Sequence, residues 1–215
     1  MLSCKVKASQ VTNLTDARYY AAWEVDWIGF CLDPGYETSI TREAFHAMRD
    51  WLEGPAITAE FFSLPADDIL GLLPDLSVDA IQLGPFYTLT DAEKLSEHQL
   101  LKLLVIDQET SFDQLEATLE EHRSVIETFI LDFSRNGISW NDLEDHPEFD
   151  HNALLDLCSQ FPILLSVDLD PNQLQEMLRQ TKAYGINLYG GEEEAVGVKS
   201  FDEIDELIEI LYVEH

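Results

Sequence analysis

Lys5-Val6-Lys7-Ala8-Ser9-Gln10-Val11-Thr12-Asn13-Leu14-Thr15-Asp16-Ala17 opens the chain with a change of period. Residues 4–8 alternate apolar and polar side chains, the pattern of a β-strand. A polar turn follows, and Thr12 or Asn13 offers the side-chain oxygen that caps a helix N-terminus. A strand that passes into a helix through three or four residues is the start of a βα unit. In a barrel of such units the strand end and the short loop after it face the mouth, where chemistry is done. Ser9 and Gln10 stand there.

The same change of period recurs along the chain. Strands are predicted over residues 27–32, 56–62, 80–83, 101–106, 129–131, 163–167 and 185–188. Asp33-Pro34-Gly35 and Gly84-Pro85 end two of them with turn chemistry. Between them lie helical patterns. Residues 41–52 place Ala44, Phe45, Met48 and Leu52 at helical spacing, and Pro65 opens the next helix, with a short one over 90–95. Ser111 heads an amphipathic helix with Leu115, Leu119 and His122, and Gln114 is placed to complete a capping box. Residues 133–150 read as a polar extended loop. Helices follow over 152–161, 171–182 and 201–211. Eight strands alternating with eight helical patterns in 215 residues predict an α/β chain folded as a (β/α)8 TIM barrel, a single domain over 1–215. The rival, a doubly wound open sheet, lacks its Gly-x-Gly-x-x-Gly signature after the first strand.

Composition narrows the function. The formal net charge is -30, from 42 acidic and 12 basic residues. Nucleic acid and anionic membrane surfaces both select positive charge, so neither is an expected partner. Three widely spaced cysteines, Cys4, Cys31 and Cys158, without a Cys-x-x-Cys pair read as buried free thiols in a reducing compartment. No basic-plus-apolar leader and no long apolar run is seen, which gives the expectation of a cytoplasmic protein. The six histidines show no ligand spacing, and Tyr19, Tyr20, Trp23 and Trp27 read as helix-to-strand packing. Acids at strand ends (Asp33, Glu60, Asp107, Asp132 and Asp168) form a hard-oxygen set that suits Mg2+ or Ca2+. In so acidic a chain they need no ligand, and neither a metal nor a cofactor is expected.

Several motifs, in order, carry a resemblance. They are Lys5-Val6-Lys7 with Thr12-Asn13-Leu14 and Asp16-Ala17, then Gly29-Phe30, Ile81-Gln82-Leu83 and Leu131-Asp132, and finally Gly190-Gly191, Glu193 and Gly197-Val198-Lys199. Together they resemble the phosphoribosylanthranilate isomerase family of tryptophan biosynthesis. The resemblance implies Asp132 as the catalytic acid and places Ser9 at the position of the family's catalytic cysteine. It implies Gln82, Gly190 and Gly191 as substrate-binding residues, with a small phosphorylated metabolite as partner if the site is active; Arg135 is a candidate compensating phosphate ligand, with a plain surface arginine as the alternative. Against the family pattern, Gln10 replaces a glycine, Gly84 a histidine and Glu37 an arginine. Val167-Asp168-Leu169 stands where the family has Gly-Gly-Leu, and the glycine-rich loop after the sixth strand is reduced to residues 133–137. A serine hydroxyl has no ionisation comparable to that of a thiol and needs a neighbouring base. The expectation is a family barrel whose parent reaction is lost or changed. Alternatives are an isomerase rebuilt around Asp132, a non-catalytic binding barrel, and a metal-assisted enzyme on the same scaffold. The oligomeric state is not legible.

Overall fold

The computed structural model describes residues 1–189, 193–195, 198–199 and 202–212. Eight parallel strands close into a barrel in sequence order: β1 (Lys5–Ser9), β2 (Trp27–Cys31), β3 (Ala56–Phe61), β4 (Ala80–Leu83), β5 (Gln99–Val105), β6 (Thr128–Asp132), β7 (Ile163–Ser166) and β8 (Gly185–Tyr189). Eight helices alternate with them: α1 (Leu14–Ala22), α2 (Arg42–Arg49), α3 (Ala66–Leu72), α4 (Leu89–Lys94), α5 (Phe112–His122), α6 (His151–Gln160), α7 (Leu174–Thr181) and α8 (Asp202–Leu211). β8 pairs back onto β1 through Lys5 to Gly185 and Ser9 to Tyr189, which closes the ring. A two-stranded antiparallel pair, Glu193–Ala195 with Val198–Lys199, lies between β8 and α8.

The strand alternation sorts side chains between two cores. Val6, Ala8, Ile28, Phe30, Ile57, Ala59, Ile81 and Leu83 pack outward beneath the helices. Trp27, Cys31, Ala80, Leu101, Leu103, Ile130 and Leu164 fill the barrel interior. Asn13 caps α1 by accepting from the Asp16 N–H at 2.9 Å, as the opening stretch predicts. The three cysteines are free, with Cys31 and Cys158 buried and Cys4 half-buried. No helix among the described residues is long and apolar enough to cross a membrane.

Three local expectations are corrected. Ser111 makes no side-chain bond at the start of α5, so no capping box forms with Gln114; Glu148 reaches across instead and accepts from the Phe112 N–H at 2.9 Å. Residues 133–150 are a packed segment, not an open polar loop, because Phe133, Ile138, Trp140, Leu143 and Phe149 bury their side chains. The seventh helical pattern begins as a 3-10 turn, Pro171–Gln173, before α7.

Lys102, on β5, is buried under the loop that follows β4. Its ammonium donates to the carbonyls of Tyr87 at 2.7 Å and Gly84 at 3.4 Å, and burial lowers its pKa from 10.5 to about 8. Between these two values the unfolded chain holds a proton that the folded protein does not, so stability rises with pH across that window. The rise attributable to Lys102 is expected to be about 2–3 kcal/mol between pH 8 and 10.5. Urea unfolding of wild type and Lys102→Met across this range checks it; parallel curves for the two proteins would contradict it.

Candidate active site

The mouth is assembled from inward-facing residues at the strand ends. Lys7 of β1 and Glu60 of β3 form an ion pair with no exposed side-chain surface. Burial pushes the Lys7 ammonium below its ordinary range, and the Glu60 carboxylate beside it pulls the other way. The same ammonium donates to Ser9 Oγ at 2.6 Å, and Ser9 Oγ donates onward to Asn187 Oδ1 at 2.6 Å. The Ser9 proton is thereby committed to an amide oxygen, while an ammonium occupies the acceptor side of the hydroxyl. From Asn187 a polar chain continues through Ser166 (3.5 Å) and Ser134 (3.3 Å) to Asp132 (2.8 Å). Ser9 and Asp132 thus stand at the two ends of one hydrogen-bonded network.

Asp132 ends β6 and is fully buried. Its Oδ1 accepts from Ser134 Oγ at 2.8 Å and the Arg135 N–H at 3.2 Å. Its Oδ2 accepts from Arg135 Nε at 3.0 Å and the Tyr189 hydroxyl at 2.5 Å. Burial and then the Asp132 charge push the Tyr189 phenol well above its ordinary range, so it stays a donor. Arg135 is an exposed residue whose guanidinium folds back over the mouth. Its Nη1 donates to the Tyr36 hydroxyl at 2.8 Å, and its guanidinium sits 5.7 Å from the Phe62 ring centre and 5.3 Å from that of Tyr189. Tyr36 in turn stacks on Phe62 at 4.2 Å.

Gln82 is buried on β4, in register with Glu60, and among the described residues its Oε1 has no partner, nor has Thr58 Oγ1 on β3. Gln10 has φ +55, a left-handed conformation that glycine adopts without strain. Its N–H donates to Glu60 Oε2 at 3.1 Å, which helps to hold it there. Gly190 and Gly191 lie outside the described residues. Beside Tyr189 a cavity of about 470 Å3 has Ser134, Ser166, Asn187 and Asp168 on its polar side and leucine and isoleucine side chains of β7, β8, α7 and α8 on the other. Loss of water on one side, then the charge of Asp132, raises the Asp168 carboxyl above its ordinary value.

Four of the five strand-end acids are held by their own partners, and Asp168 stands near enough to Asp132 to feel its charge. Asp33 accepts the N–H groups of Phe62 at 2.7 Å, Ser63, and Leu64 at 3.2 Å; Asp107 is held by Thr110 at 2.7 Å; Glu60 faces Lys7 and Asp132 faces Arg135. Among the described residues no group of three or more His, Cys, Asp or Glu side chains is placed to hold a metal ion. Sequence reasoning missed Asn187, Tyr189, Tyr36 and Phe62. The first two were findable as alternate residues of β8 in register with Lys7 and Ser9, whereas Tyr36 and Phe62 arrive from loops.

An N-(5'-phosphoribosyl)anthranilate isomerase of Caldanaerobacter subterraneus subsp. tengcongensis is 23% identical over 206 residues, 95% of this chain and 96% of that protein. The isomerase structure from Thermotoga maritima superposes with a TM-score of 0.78 at 21% identity, covering 97% of this chain and 98% of that one. Over nearly its whole length the chain is similar, at low identity, to phosphoribosylanthranilate isomerases. A further isomerase structure, holding reduced 1-(o-carboxyphenylamino)-1-deoxyribulose 5-phosphate, superposes with a TM-score of 0.76 at 20% identity and the same coverage. No protein-family model matches. The likeness to the isomerases lies in the barrel, and Ser9, Gln10 and Asp168 all lie around the mouth described above.

Proposed function

We propose that this barrel keeps the isomerase scaffold and has lost the isomerase reaction. The observation that carries the reading is the Asp132 carboxylate with donors on both oxygens. The family reaction is an Amadori rearrangement: an acid protonates the ribose ring oxygen, and a base then removes the C2′ proton. General acid–base catalysis requires each group to reach the substrate and to exchange a proton with it. Four donors on Asp132 leave no lone pair that faces a ligand. Ser9 does not serve as the base, because its oxygen keeps its own proton and accepts from the Lys7 ammonium. The phosphate end fares no better, since the Asp168 carboxylate lines the neighbouring cavity with the charge that repels an anion. A rebuilt isomerase would require Arg135 to leave Asp132 when the ligand arrives.

Calorimetric titration with reduced 1-(o-carboxyphenylamino)-1-deoxyribulose 5-phosphate, the compound held by the isomerase structure, tests the reading. No saturable heat at millimolar ligand is the expected result. Submillimolar binding would favour the rebuilt isomerase.

A further inference from the structure

The arrangement around Arg135 is that of a cation held in a receptor. A guanidinium lies against the faces of Phe62 and Tyr189, bonds the Tyr36 hydroxyl, and has a fully buried carboxylate, Asp132, behind it. Ring faces and a desolvated carboxylate are the groups that select guanidinium and ammonium ions. We propose that the mouth is a binding site for a small organic cation bearing a guanidinium or amine group, with Arg135 as its built-in occupant in the resting protein. This rests on the reading that the isomerase reaction is gone.

Three features support exchange between Arg135 and such a ligand. Arg135 sits on a short 3-10 turn, Ser134–Asn136, with its side chain 27% exposed, so it can give way to another cation without unfolding a strand, whereas an anionic substrate would leave the buried Asp132 charge without a cation. The incoming guanidinium recovers the same carboxylate and rings that Arg135 gives up, so the contacts offset and the ligand has to outcompete only the tether. Tyr189 also lines the neighbouring cavity together with Asp168, which offers a second carboxylate to a ligand with a second cationic end. Over longer range, a chain of net charge -30 concentrates cations at its surface and excludes phosphorylated anions.

Agmatine, a guanidinium with an amine at its far end, is the probe, and ribose 5-phosphate is the anionic comparison. Calorimetry on the wild type is expected to show saturable one-to-one agmatine binding and none of the sugar phosphate. Arg135→Ala removes a tethered competitor and is expected to tighten agmatine binding at least tenfold, because a short tether holds such a competitor at millimolar effective concentration. Adding Asp132→Asn to that variant is expected to weaken it at least tenfold. Phe62→Leu, which keeps the apolar bulk and removes the ring face, is expected to weaken it several-fold and serves if the Asp132 variant fails to fold. No saturable agmatine binding by folded Arg135→Ala overturns the proposal, as does a preference for ribose 5-phosphate. Binding confined to Arg135→Ala also overturns it, since Arg135 would then be a permanent wall. Isomerase turnover by the wild type would instead remove the reading beneath it, and the two failures are separately visible.

Discussion

Glu60→Ala is expected to cost about 3–5 kcal/mol of folding stability, and Lys7→Met a similar amount. Each substitution leaves one uncompensated charge in the barrel interior, where neither side chain has any contact with water. Glu60 additionally accepts from the Gln10 N–H, so its loss strands a further polar group, while loss of Lys7 removes one of the two partners of Ser9. Domains are stable by only about 5–15 kcal/mol, so either single variant approaches the threshold of unfolding. The double variant Lys7→Met with Glu60→Met removes both charges together and is expected to lose less than either single variant, because buried pairs are often replaceable by apolar side chains of similar volume. Gly29→Ala belongs to the same prediction. A Cβ on Gly29 would lie 1.9 Å from Glu60 Oε1 and 2.7 Å from Lys7 Nζ, so the pair must move or break. Urea unfolding of the four proteins checks this. Single-variant losses below about 1 kcal/mol would show the pair to be solvated or dispensable.

This pair also shows what the sequence conceals. The barrel was legible because each βα unit announces itself locally. Residues 80–83 were read as a strand to the residue, and Asn13 was one of two expected caps. Ser9 and Asp132 were legible as strand ends. What they do there was not, because it depends on partners far away in the chain. Asn187 is 178 residues from Ser9, and Tyr189 is 57 from Asp132. Arg135 was open between a phosphate ligand and a surface arginine, and its engagement by Asp132, three residues before it, was not foreseen. The burial that makes residues 133–150 a packed segment comes from five apolar side chains scattered among polar ones, without either helical or strand period.

The second large effect is on catalysis. General acid and general base each contribute about 10^2–10^4-fold to such a reaction. On the proposed reading, Asp132 occupied on both oxygens and Ser9 donating its proton to Asn187 supply neither contribution. Turnover of phosphoribosylanthranilate is therefore expected to fall at least about 10^4-fold below that of an isomerase with both groups in place. Ser9→Cys alone is not expected to restore it, because the Asp132 contacts with Arg135 and Tyr189 remain.

The most direct measurement follows the fluorescence of freshly generated phosphoribosylanthranilate in the presence of folded wild-type protein and of Asp132→Asn. Our account predicts decay at the spontaneous rate with both. Enzymatic decay with the wild type that Asp132→Asn abolishes would contradict it, and would mean that Arg135 yields the carboxylate to the substrate.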